Sequence, residues 1–140
     1  MKTVSRITLL ALALVMTLSF VACADVDKTG AWETATYVRD TELGKGAKTV
    51  TVKVIAEEQS LTFTLHTDKE TLGDALLEHH LIAGDQGPYG LYIKSVNGVI
   101  ADYDTDQTYW SLSKNGEMMM VGVDGATIAD GEQYELTKAK

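Results

Sequence analysis

Ser111 and Ser113 on one short stretch, and the three histidines His66, His79 and His80, are the side chains from which a nucleophile and its base would have to be built. Acyl transfer needs a serine hydroxyl within hydrogen-bond reach of an imidazole that takes its proton. Neither serine has a histidine near it in sequence, and the Gly-x-Ser-x-Gly turn that exposes a nucleophile is absent. The expectation is a protein that is not an enzyme. Metal chemistry is equally poorly served. His79 and His80 are adjacent, and adjacent helical positions point about 100° apart, whereas a helix chelates through positions four residues apart. One histidine packed and the other solvated near a helix C-terminus is the expected outcome. Asp102, Asp104 and Asp106 alternate like the opening of a calcium loop. Counted from Asp102, however, Gln107 stands where the loop needs glycine and Ser113 where it needs a bidentate glutamate. A solvated acidic loop is expected, with no metal site and no required cofactor.

Aromatic residues offer a different chemistry. Tyr89, Tyr92, Tyr103, Tyr109 and Trp110 fall within 22 residues. On a strand, alternation sends Trp110 and Leu112 to one face and Tyr109, Ser111 and Ser113 to the other. One set is expected to build the core and the other to form a recognition face, where large rigid rings supply contact at low entropic cost. Met118, Met119 and Met120 in succession must expose at least one thioether opposite the core, which is adaptable apolar surface. An edge strand covered by the N-terminal segment is the alternative for these methionines.

The elements that would position these residues follow from periodicity. "TVTVKVIA" places Val50, Val52 and Val54 on one face, and "SLTFTLHT" does the same with Leu61, Phe63 and Leu65. Glu57, Glu58 and Gln59 between them predict a hairpin. "TDKETLGDALLEHHLI" reads as an amphipathic helix of about three turns, with Thr67 and Glu70 as a capping box, Asp68 as an alternative cap, and Leu72, Leu76 and Leu77 at helical spacing. Gly73 inside it suggests a strand crossing closely. "AGDQGPYG" reads as a Gly-rich turn. Asn97-Gly98 and Asn115-Gly116 then mark two further hairpins, and "QYELTKA" is a last strand. This order predicts one α+β domain, a β-grasp-like mixed sheet of short strands with a helix across it, over residues 49–138. Residues 23–48 lack a sustained period and read as a tether, with pairing of "WETATYV" to the sheet left open.

Residues 1–22 have the order of a secretory signal: Lys2 and Arg6, an uncharged apolar run from Ile7, then small residues before the single cysteine. The apolar run falls short of the ~20 residues that span a bilayer comfortably. Phe20-Val21-Ala22-Cys23 resembles the bacterial lipobox, with phenylalanine where leucine is usual. The expectation is a lipid anchor on Cys23 holding the domain on the outer face of a bacterial cell membrane. Removing residues 1–22 takes away two basic residues and no acidic one, moving the formal charge from −8 to −10. Such a surface repels nucleic acid, and with no polybasic face the membrane link would be the lipid alone.

The stretch from Tyr89 to Leu136, with the helix "ETLGDALLEH" before it, closely resembles the DUF4430 family, the transcobalamin C-terminal-like domain of bacterial lipoproteins and animal cobalamin carriers. The resemblance spans roughly residues 49–138. It is carried by Tyr89-Gly90 with Tyr92, Asn97-Gly98, Tyr109-Trp110, Asn115-Gly116, Gly122-Val123-Asp124 and Asp130-Gly131-Glu132 in that order. It implies a β-grasp-like sheet. In the animal carriers it implies a small domain closing over one face of a corrinoid held against a larger helical domain, which this chain lacks. The matched positions implied for ligand binding are Tyr89, Gly90, Tyr92, Tyr109, Trp110, Met118, Met119 and Met120. No histidine lies among the motifs, so cobalt coordination is not implied. Cobalamin or a related corrinoid is then the implied ligand, with a partner protein to complete the site. An adhesion or assembly module that binds protein or cell-wall polymer is the alternative.

Overall fold

The computed structural model describes residues 28–140; the signal segment and Cys23 lie outside the described residues. After a 3-10 turn at Gly30–Trp32, the elements are β1 (Thr41–Gly44), β2 (Lys48–Ala56), β3 (Gln59–Thr67), α1 (Leu72–Glu78), β4 (Ile82–Gly87), β5 (Gly90–Val96), β6 (Val99–Ile100), α2 (Tyr103–Asp106), β7 (Tyr109–Lys114), β8 (Glu117–Met118) and β9 (Gln133–Ala139). A second 3-10 turn, Val123–Gly125, precedes β9. Six strands form a mixed sheet in the order β1-β3-β2-β9-β7-β8. β2 and β9 run parallel at its centre, with Val52 opposite Tyr134 and Val54 opposite Leu136. β3 and β7 flank them antiparallel. That central parallel pair, with α1 across one face, is the β-grasp-like α+β arrangement expected from the order of elements. Period-2 patterning explains it: Val50, Val52, Val54, Leu61, Phe63 and Leu65 are all buried and meet Leu72, Ala75 and Leu76 of α1 in one core.

Several local readings differ from the expectation. α1 is two turns long, and its N-cap is Thr71, whose hydroxyl accepts from the Asp74 N–H at 3.2 Å. Thr67 is instead the buried last residue of β3, paired with Lys48. The long β2–β3 ladder claims Thr67 before a helix can start there. "IAGDQG" is a strand rather than a turn: β4, β5 and β6 form a separate antiparallel sheet. Glycine disfavours strands in isolation, but pairing to β5 supplies the hydrogen bonds. At Gly84 the register shifts, and a Cβ there would lie 1.8 Å from the Tyr92 carbonyl oxygen, so only glycine fits the bulge. The acidic stretch after β6 becomes α2, where Asp102 caps by accepting from the Asp104 N–H at 3.1 Å.

The segment before β1 is packed. Trp32 and Ala35 are buried, and the Tyr37 ring meets Phe63 edge-on at 5.7 Å between centroids. β1 then adds to β3 in parallel. "WETATYV" forms no strand; it is pinned at the β5–β6 turn. Asn97, fully buried, accepts from the Tyr37 N–H at 2.9 Å and donates its amide to the Tyr37 carbonyl at 2.8 Å. The Thr36 N–H donates to the Asn97 carbonyl, and the Thr34 hydroxyl donates to the Gly98 carbonyl. A boundary at residue 49 falls inside β2 and leaves out these contacts. Irregular chain held by point contacts has no period to detect.

Candidate functional site: the tip of the β4–β5 hairpin

β4 and β5 pair from Ile82 opposite Val96 to Gly87 opposite Gly90, leaving Pro88 and Tyr89 as a two-residue turn. Gly90 takes φ +99°, which glycine alone adopts easily. Leu91 and Ile93 pack against the core, whereas Tyr92 is 47% exposed and Tyr89 99% exposed. The Tyr89 ring therefore contributes almost nothing to the stability of its own domain. Gly87, Pro88, Tyr89, Gly90, Leu91, Tyr92 and Gly122 line a shallow groove with a volume of about 450 Å3. None of these seven side chains is charged at neutral pH. The two charged residues of the hairpin, Lys94 and Asp85, pair at 2.7 Å across the strands. The hydrogen bond that Lys94 donates to Asp85, followed by the charge of that carboxylate, holds the Lys94 ammonium above its ordinary pKa.

Asp124 fixes the hairpin to the body. Its Oδ2 accepts from the Leu91 N–H at 2.9 Å. A Cβ on Gly90 would come within 3.0 Å of that oxygen, and a Cβ on Gly73 within 2.7 Å of Oδ1. The carboxylate is wedged between the first turn of α1 and the hairpin, where the positive end of a helix favours it. Gly73 does mark a close crossing, but the neighbour is the 3-10 turn rather than a strand.

The expected site residues separate into different places. Tyr89, Gly90 and Tyr92 share the groove. Met120, 97% exposed, is two residues from Gly122, so its Cα is within about 7.6 Å of the lining by chain geometry. Met118, also exposed, pairs with Ser113 at the sheet edge. Met119 is partly buried, its N–H donating to the Leu112 carbonyl at 2.9 Å. Tyr109 lies at the far end of β7 opposite Ala139, about 13 Å along the strand from Ser113. Trp110 is a correction. It is buried with Leu112 in the core, as the alternation of β7 requires, and is unavailable to a ligand. Gly87, Pro88, Leu91, Gly122 and Asp124 complete the site and were not singled out for it. Their signal was a proline between glycines and the Gly122-Val123-Asp124 step.

Several titratable groups elsewhere have structural partners, whereas the buried His79 Nε2 has no hydrogen-bond partner. His66 contacts Glu42 and shares a 3.0 Å hydrogen bond with Thr49, His79 is mostly buried, and His80 is exposed. Among the described residues no group of three or more His, Cys, Asp or Glu side chains could hold a metal ion. Glu132 accepts from Lys114 at 2.7 Å and from the Tyr134 hydroxyl. Burial pushes its carboxyl up, but these hydrogen bonds outweigh it and leave the pKa below the ordinary value. Burial, then the Glu132 partner, raises the Tyr134 phenol above its ordinary range.

The domain of unknown function DUF4430 matches residues 69–137. A proposed metal binding protein from Ruminococcus gnavus ATCC 29149, solved at 1.30 Å, is 35% identical with a TM-score of 0.64, over 67% of this chain and 98% of that one. Haptocorrin in complex with Cbi is 20% identical with a TM-score of 0.56, over 66% of this chain and 25% of that one, a likeness of fold. The chain thus spans about a quarter of haptocorrin. No protein of curated function matches. With the central parallel pair, the helix across the sheet and the motif order all in place, the chain belongs to the DUF4430 family.

Proposed function

We propose that the domain is a binding protein, not an enzyme, that captures a corrinoid or a similarly broad, partly apolar ligand in the groove at the β4–β5 tip. The observation that carries this reading is Tyr89, almost wholly exposed on a fixed hairpin beside an uncharged groove. Exposed Tyr89 and Tyr92 continue the apolar lining of the groove, and a contiguous exposed apolar patch, unlike a single exposed ring, marks an interaction site. A corrin is a broad disc edged with amides, which suits two tyrosine rings flanked by glycine backbone groups. The fold likeness to haptocorrin in complex with Cbi supports this choice of ligand class. The groove is open and covers one face of such a disc, which favours a partner protein completing the site from the other side.

A lipid on Cys23 is part of the same reading. The packed body begins at Gly30, seven Cα steps from Cys23, a reach of about 25 Å at most. The segment that follows is pinned at the Asn97-Gly98 end of β5, and Tyr89 precedes the opposite end, about 23 Å away for seven residues. Among the described residues no helix is long and apolar enough to cross a membrane.

The test is titration of the unlipidated chain from residue 23 with cobalamin and cobinamide, followed by calorimetry and the corrin absorption band. Tyr89→Ala and Tyr92→Ala should each weaken binding with the fold intact. Absence of binding at concentrations on the order of hundreds of micromolar would rule out solitary capture. Unchanged affinity in both variants would discard the groove. For the anchor, Cys23→Ala should release the domain from the membrane fraction, and its retention there would refute lipidation.

A further inference from the structure

Met118, Met119 and Met120 are the only methionines beyond residue 16, and the chain gives each a different environment. Met120 is 97% exposed and Met118 67% exposed, while Met119 between them packs against the core. No thiol or other thioether lies among the described residues to compete for an oxidant. We propose that Met120, with Met118, is an oxidation site of this domain, and that the sulfoxide on Met120 changes the affinity of the adjacent groove. The second half of this statement rests on the groove being the binding site.

The chemistry is a two-electron oxidation by a peroxide such as hydrogen peroxide. A sulfur lone pair attacks one peroxide oxygen, an S–O bond forms, and the O–O bond breaks. The departing oxygen leaves as water after taking the remaining proton, so sulfur is oxidised and peroxide reduced. The product is a polar, chiral side chain where a flexible apolar one stood. Two features make this more than incidental damage. The exposed thioethers contribute little packing, so their oxidation leaves the core undisturbed. Met120 also precedes Val121, 49% exposed, and Gly122 of the groove lining, so the new dipole is carried two residues from a lining with no charged side chain of its own.

The test treats the chain from residue 23, carrying Cys23→Ser, with graded hydrogen peroxide. The three methionines share the tryptic peptide 115–138, in which fragment ions separate them. Met120 and Met118 should oxidise on the order of tenfold faster than Met119, following exposure. The melting temperature should move by no more than about 1 °C while the two exposed sites react. Nile red, a neutral apolar dye, reports the groove: its affinity should fall several-fold on oxidation, survive oxidation in Met120→Leu, and still fall in Met118→Leu. Equal rates at all three positions, or a marked loss of stability, would overturn the oxidation site. A dye response that persists in Met120→Leu would overturn its link to the groove. Failure of the unoxidised protein to bind dye would count against the groove itself and against the affinity change, while the order of oxidation still decides the site.

Discussion

Replacing Asn97 with alanine should destabilise the domain by about 2–5 kcal/mol, for two separable reasons. The side chain makes two hydrogen bonds to the backbone of Tyr37, at 2.9 and 2.8 Å, and is fully buried. Each is worth roughly 0.5–1.5 kcal/mol net, so together they contribute about 1–3 kcal/mol. Asn97 also sits at φ +52°, where asparagine is tolerated and alanine costs a further 1–2 kcal/mol or about that. Asn97→Gly removes the hydrogen bonds but accepts the backbone angle, so it should lose only the first part. Urea unfolding of the two variants measures both, and their difference isolates the backbone contribution. Limited proteolysis within residues 33–40 should accelerate in both, because the segment loses its clamp before the sheet unfolds. Indistinguishable stabilities for the alanine and glycine variants would refute the backbone argument. A loss below about 1 kcal/mol in both would refute the clamp.

Deleting residues 28–48 should abolish cooperative unfolding by urea, since it strips Trp32, Ala35 and Tyr37 from the core and β1 from the sheet; a sharp, unchanged transition would return this segment to a tether. Trp32→Ala alone should cost about 3–5 kcal/mol by the same measurement. Glu132, with its folded pKa below the ordinary 4.5, contributes stability that is present above that value and lost as pH falls through the lower folded one. Melting temperatures from about pH 6 to about pH 3 should therefore fall less steeply in Glu132→Gln than in wild type, and identical slopes would exclude this carboxylate as a source of acid sensitivity.

Strands β2 and β3 and the apolar face of α1 were legible in the sequence because each buries one face, and burial of one face leaves a period. The two Asn-Gly steps were legible for a related reason, since few residue pairs accept the backbone angles of those turns. The split of β7, with Trp110 inward and Tyr109 outward, also followed from alternation, although which set met the core required the neighbouring strands. β4 was illegible: "IAGDQG" has the composition of a turn and becomes a strand only because β5 offers it a ladder. The N-terminal segment was hidden because its order comes from Asn97, some 60 residues away. The groove is the strongest case. Tyr89 and Gly122 are 33 residues apart and meet only because Asp124 binds the Leu91 amide between α1 and the hairpin. Local pattern reports what a residue does to its own element, whereas a site between elements depends on contacts that no short window of sequence contains.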